Sequence, residues 1–175
     1  SVSFDVRQGE CLHLRGANGV GKTTLLNILA DLEKPTTGSV TLTEPSFFLN
    51  QGQALKPFLT PYDHVLFWSH LFQTQKDPTT FLSLWQIGHL AHLPLYTLSL
   101  GQRKRLQLCQ LSLSQARIWL LDEPHHGLDQ EGLDLLTQQI KNHLKKQGCV
   151  IVTHHGDFDN IPGDRYILPA LNRAV

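Results

Sequence analysis

What this 175-residue chain has little of narrows its roles before any motif is read. It has no surplus of either charge: 15 Lys and Arg stand against 15 Asp and Glu, and the formal net charge is zero. Electrostatics therefore argue against nucleic acid or an anionic lipid surface as its main partner. No apolar run approaches the roughly 18 residues of a membrane-spanning helix. Any membrane role is expected to run through a partner, with this chain peripheral. A secretory leader pattern is absent. Only three cysteines occur, Cys11, Cys109 and Cys149, too scattered for metal-ligand spacing. Each lies in an apolar stretch, which predicts buried free thiols in a reducing compartment. Nor does the chain start with Met; Ser1–Val6 already alternates like a strand, so a preceding N-terminal piece is expected to be missing.

What is present is ordinary globular composition, long enough for one domain with a sizeable core. The chain is organised around Gly16, Ala17, Asn18, Gly19, Val20, Gly21, Lys22 and Thr23. This stretch fits G-x-x-x-x-G-K-[ST], a phosphate-binding loop. Before it, Glu10 to Arg15 reads as a short buried strand. After it, Thr24 to Leu32 reads as a helix with Leu25, Leu29 and Leu32 at helical spacing. Strand, glycine loop and helix are what the chemistry needs. The glycines let backbone N–H groups turn inward, and the helix start adds a positive dipole end. Lys22 can reach β- and γ-phosphates, and the Thr23 hydroxyl can ligate Mg²⁺.

Further along, Pro35 to Gly38 is a turn, and Ser39 to Thr43 and Ser46 to Leu49 are predicted strands. Thr60 as N-cap, Pro61 at the first position and Asp63 near the dipole predict a helix with Val65, Trp68 and Phe72 on one face. Asp77-Pro78 opens another, with Gly88 as its predicted end. Residues 52–115 read as purely helical, a candidate subdomain inserted in an α/β domain. Ile118 to Leu121 is a buried strand, Gln130 to Gln147 an amphipathic helix capped by Gly148, and Cys149 to Thr153 a further strand.

The strand from Ile118 delivers Asp122 and Glu123 at its C-terminal end, the edge where open α/β sheets bind ligands. Asp122 is placed to hold Mg²⁺. Glu123 can take a proton from an attacking water as general base. His154, after the strand Cys149 to Thr153, is placed to sense a γ-phosphate; His155 beside it is a rival.

Leu98-Ser-Leu-Gly-Gln102, followed by Arg103-Lys-Arg105, resembles the L-S-G-G-Q signature of ATP-binding cassette (ABC) proteins. The resemblance covers essentially the whole chain. It implies an ABC-type P-loop ATPase fold with an inserted helical subdomain, and ATP and Mg²⁺ as cofactors. Position by position, it implies that Gly16 to Thr24 form the Walker A loop and that Asp122 and Glu123 are the Walker B aspartate and catalytic glutamate. It makes Gln51 the Q-loop glutamine, touching Mg²⁺ and the attacking water, with Gln53 as alternative. Asp129 falls in the D-loop, and His154 is the switch histidine. Cassettes of this family pair head to tail, so Ser99, Gly101 and Gln102 would complete the ATP site of a partner copy. The implied partners are a second cassette, in a homodimer by default, and separate transmembrane permease subunits.

Two departures stand out. Leu100 replaces the first signature glycine, where a side chain is expected to crowd the phosphate approach or alter helix entry. No aromatic fits the adenine-stacking role. His125-His126 reads as a solvated loop pair. Softer similarities, Gly16 to Leu26 and Leu128 to Gly132, resemble the haem-exporting branch that serves cytochrome c maturation. That branch implies the cytoplasmic face of a bacterial inner membrane, or the matrix face of the mitochondrial one. The alternatives are another small exporter or a weakly hydrolysing regulatory cassette. A cassette acting on ribosomes or DNA would carry paired cassettes or basic arms, which this chain lacks.

Overall fold

In the computed structural model, residues 2–52, 55–154 and 161–168 are described. Among them, five strands form one all-parallel sheet in the order β2-β3-β4-β1-β5. The strands are β1 (Cys11–Arg15), β2 (Ser46–Leu49), β3 (Ile118–Asp122), β4 (Cys149–Thr153) and β5 (Asp164–Ile167). Between them run α1 (Lys22–Leu29), α2 (Pro61–Leu71), α3 (Pro78–Leu84), α4 (Leu100–Leu113) and α5 (Gln130–Lys145). Two 3-10 turns, Gly88–Leu90 and Leu95–Thr97, precede α4.

Chain contacts divide the protein into two compact units. The first takes Ser1–Gln51, Ala116–Pro124 and Ile140–Val175; the second takes Gly52–Gln115 and His125–Gln139. The first holds the sheet. Parallel strands covered on both faces need continuous apolar side chains, and β3 and β4 are buried at every position. Their core gathers Leu12 and Leu14 of β1, Leu26 and Leu29 of α1, Ile118, Leu120 and Ile151. In the second unit α2, α3 and α4 pack on one another around Val65, Leu82, Trp85 and Leu106, all fully or almost fully buried. All three described cysteines are free and buried. Burial, with Cys149 alongside, pushes the Cys11 thiol up to about 12, so it stays protonated and unreactive at neutral pH.

Helix ends depart from expectation in one consistent way. Glycines 88 and 148 were the expected stops, yet the left-handed residues are Asp31 (φ 58°), Gln73 (54°), Gln86 (58°) and Gln147 (63°). Each closes a helix with a paired set of bonds. Asp31 N–H donates to Ile28 O and Leu32 N–H to Asn27 O; Gln147 N–H donates to Leu144 O and Gly148 N–H to His143 O. This is the Schellman arrangement, whose two hydrogen bonds offset the ~1–2 kcal/mol cost of a left-handed non-glycine residue. Helix α1 therefore stops at Leu29, and Leu32 is exposed rather than on its buried stripe. Helix α3 stops at Leu84, and Gly88 begins a 3-10 turn instead.

Of the expected strands at Ser1–Val6 and Ser39–Thr43, the described residues 2–6 and 39–43 form none. Phe4 and Val6 are half-buried against the core, and Val40 and Leu42 are exposed. Alternation without a neighbour to share backbone hydrogen bonds makes no ladder. Conversely, β5 carries no apolar pattern and is held by parallel pairing to β1.

Gly148 has a packing duty. His143 stacks on Trp119 at 3.8 Å and 8° between planes, while its Nε2 lies 3.0 Å from Arg117 O. A Cβ at position 148 would collide with the His143 ring at Nε2. Gly148→Ala should therefore cost about 2–4 kcal/mol through lost stacking and forced repacking, a melting-temperature fall of roughly 4–16 °C. In a His143→Ala background the same change should cost almost nothing more; an equal fall in both backgrounds would locate the strain elsewhere.

Candidate functional site

All strands being parallel, their C-terminal ends share one edge, where such sheets place ligands. At that edge β1 ends at Arg15 and hands the chain to Gly16 and the loop. Helix α1 then begins without a side-chain cap: its N-cap is Gly21, φ 101°, and its first turn holds no acidic residue. Helices α2, α3 and α4 are instead capped by Thr60, Asp77 and Ser99. An N-terminus with neither cap nor carboxylate leaves its N–H groups and dipole for an anionic ligand. Ala17, Asn18 and Gly19 are exposed, Gly16 and Val20 half-buried. The Lys22 ammonium is tucked beneath the loop, donating to Gly16 O at 2.9 Å and Ala17 O at 3.1 Å.

Opposite the loop, Thr23 Oγ1 donates to Asp122 Oδ2 at 3.0 Å. The other carboxylate oxygen, Asp122 Oδ1, accepts from Thr153 Oγ1 at 2.6 Å. Thr153 Oγ1 in turn accepts from the Glu123 N–H at 3.0 Å, and Thr153 O accepts from it at 3.2 Å. This link follows from register: Asp122 and Thr153 are direct neighbours on β3 and β4. Asp122 is thus oriented from both sides while only 3 % exposed. Glu123 sits at φ 45°, a strained backbone for a side chain this size. The two hydrogen bonds to Thr153 hold it there.

His154, just past β4, is buried, with Nε2 2.9 Å from Nδ1 of His13 in β1. Gln51 is exposed two residues past β2. The rivals Gln53 and His155 lie outside the described residues.

The remaining expected site residues belong to the second unit. Ser99 and Gln102 form a reciprocal capping box at the start of α4: Ser99 Oγ accepts from Gln102 N–H at 3.2 Å, and Gln102 Oε1 accepts from Ser99 N–H at 2.9 Å. Gly101 is the second residue of α4, and a Cβ there would lie 3.3 Å from Gly127 O. Leu100 is 72 % exposed. Asp129 accepts from Arg105 at 2.7 Å and from Gly132 N–H at 3.0 Å, so its carboxylate caps α5 and is held by α4. The Arg105 guanidinium holds the Asp129 carboxyl below the usual carboxylate range. Arg105 also donates to Glu131 at 2.9 Å and Gln86 at 3.2 Å. Half-buried His125 and exposed His126 gather no third ligand: among the described residues no cluster of His, Cys, Asp and Glu could hold a metal.

Sequence reasoning missed Thr153, His13 and Arg105. A hydroxyl at the end of an apolar strand, and a histidine inside Cys-Leu-His-Leu, were the available signals. Their partners lie on other strands or helices and could not be read from spacing.

The ABC transporter family profile matches residues 1–126. The cytochrome c biogenesis ATP-binding export protein CcmA of Ruegeria sp. is 37 % identical over 158 residues, covering 90 % of this chain and 77 % of that protein. Its counterpart from Hyphomonas neptunium is 34 % identical over 154 residues, covering 88 % and 80 %. Among solved structures, an ABC transporter ATP-binding protein from Pyrococcus furiosus superposes with a TM-score of 0.82 at 24 % identity, covering 95 % of this chain and 88 % of that one. That likeness shows the fold, and no described helix is long and apolar enough to cross a membrane. A family match across most of the length, over a sheet edge carrying a phosphate loop and two carboxylates, places the chain among ATPases coupled to transport: it belongs to the ABC transporter family.

Proposed function

We propose that this chain binds and hydrolyses ATP as the motor subunit of an exporter serving cytochrome c biogenesis, with haem or a haem-related group as cargo. The identity to proteins that carry that export name supports the cargo class. The observation that carries the ATPase reading is the linked set Thr23–Asp122–Thr153–Glu123 facing the loop around Lys22.

In this reading the N–H groups of Gly16 to Thr24 and the Lys22 ammonium hold the β- and γ-phosphates. The donor set suits Mg²⁺: a hydroxyl and a carboxylate are the hard oxygen ligands this cation takes, and Thr23 Oγ1 and Asp122 Oδ2, 3.0 Å apart, would hold it together. Bound there, the cation would neutralise charge on the phosphates, with Gln51 as a further contact. Glu123 takes the proton of the attacking water, and His154 gives an N–H to the γ-phosphate. Ser99, Gly101 and Gln102 act on the nucleotide of a second copy, which makes a homodimer part of the mechanism, with Asp129 at the same junction. The helical residues 52–115 pass the motion to separate membrane permease subunits. The chain would be peripheral, on the cytoplasmic face of a bacterial inner membrane or the matrix face of the mitochondrial one.

Deleting the chain from its own organism should abolish covalently haem-bearing c-type cytochromes on a haem-stained gel. Restoring the parent chain should bring them back, and the Lys22→Ala chain should not. A deletion strain with normal c-type cytochromes would redirect the cargo assignment while leaving the ATPase untouched.

A further inference from the structure

We propose that His13 is a positioning residue for His154: it fixes which ring nitrogen of His154 carries the proton and holds the two rings edge to face. This rests on the reading of His154 as the γ-phosphate contact. His13 is the middle residue of β1, flanked by buried Leu12 and Leu14, and is only 1 % exposed. A histidine in such a place must satisfy its ring nitrogens inside the protein. Nε2 lies 3.1 Å from Ile161 O and 3.7 Å from Cys11 Sγ; the carbonyl is the nearer and only accepts, so Nε2 carries the hydrogen. In the uncharged ring Nδ1 is then an acceptor. Its neighbour at 2.9 Å is His154 Nε2, which must therefore donate. The rings meet edge to face, 84° apart with centroids at 5.0 Å, the arrangement of one directed N–H bond rather than a stack.

The consequence is chemical. A phosphate oxygen accepts hydrogen bonds and gives none. With Nε2–H donated to His13, His154 can offer a phosphate an N–H in two ways. It can swing Nε2 away from His13, or it can take a proton on Nδ1. His13 thus sets the cost of engaging the γ-phosphate, as the outer partner of a ligating histidine sets its tautomer and orientation. The pair joins β1, which leads into the phosphate loop, to the end of β4, and the two residues are 141 positions apart.

The test uses the full chain with ¹⁵N-labelled histidine rings. The parent should show His154 protonated at Nε2. His13→Leu removes the acceptor and should lower ATP turnover by about 10–100-fold with ATP affinity unchanged. His13→Gln returns an acceptor oxygen and should restore both the Nε2–H form and most of the turnover. His154→Ala added to His13→Leu should cause no further loss. A parent His154 protonated at Nδ1 overturns the proposal, as does full turnover in His13→Leu. Loss of ATP affinity in both His13 variants also overturns it, by making His13 merely structural. If His154→Ala alone turns over at the parent rate, the phosphate reading itself falls, and nothing is left for His13 to position.

Discussion

Lys22→Ala should lose ATP affinity by roughly 10- to 150-fold for each charge-assisted hydrogen bond removed, at about 1.5–3 kcal/mol apiece. Lys22 is 7 % exposed, and its ammonium is hydrogen-bonded to Gly16 O and Ala17 O. The loop's own carbonyls thus hold the side chain, and little of its entropy remains to be lost on binding. Its removal takes away both the charge that faces the β- and γ-phosphates and the ties that shape the loop. The discriminating measurement compares ATP with AMP by calorimetry. The parent should prefer ATP strongly, and Lys22→Ala should lose most of that preference because AMP never reached the lysine. Equal loss for both nucleotides would mean that the substitution collapsed the loop, and unchanged ATP affinity would remove Lys22 from the site.

The phosphate loop was legible because the chemistry forces its residues into one contiguous stretch: glycines where the backbone must turn inward, then lysine and threonine at a helix start. The central strands were legible for a related reason. A parallel strand covered on both faces has no polar alternation, so Ile118 to Leu121 and Cys149 to Thr153 stand out as apolar runs. Of the sheet's two outer strands, β2 was read from the sequence and β5 was not. Asp164–Ile167 is mostly exposed and is a strand because β1 offers it a ladder, a fact about pairing and not about composition.

Helix stops misled for a different reason. Glycine is the usual left-handed residue, but Asp31, Gln73, Gln86 and Gln147 take that conformation here, stabilised by the paired Schellman hydrogen bonds. Polar residues that hold the site members in place were the least visible part. Thr153 is fixed on Asp122 by strand register, His13 reaches His154 across the sheet, and Arg105 meets Asp129 24 positions away. Each is a pairing between distant segments, which spacing along the chain does not reveal.

Glu123→Gln should bind ATP as the parent does and hydrolyse it about 10²- to 10⁴-fold more slowly, the range attributed to a positioned general base. The substitution keeps size and shape and removes only the proton-accepting charge. The backbone at this position is held independently of the side chain, since the 123 N–H donates to both oxygens of Thr153. The φ of 45° should therefore survive the change, and with it the direction in which the side chain leaves the strand. Holding a non-glycine residue there costs on the order of 1–3 kcal/mol, a cost the sheet meets to aim this one group. The second consequence concerns assembly. If nucleotide on one copy is completed by Ser99 and Gly101 of another, blocking hydrolysis should leave ATP glueing the two together. Glu123→Gln with ATP should then run at twice the chain's mass on size-exclusion chromatography, and as a single chain with ADP. Ser99→Ala in the same background should weaken that dimer by removing the hydroxyl from the shared site. Hydrolysis at the parent rate would dismiss Glu123 as the base, and a monomer under saturating ATP would dismiss the shared site while leaving the phosphate loop intact.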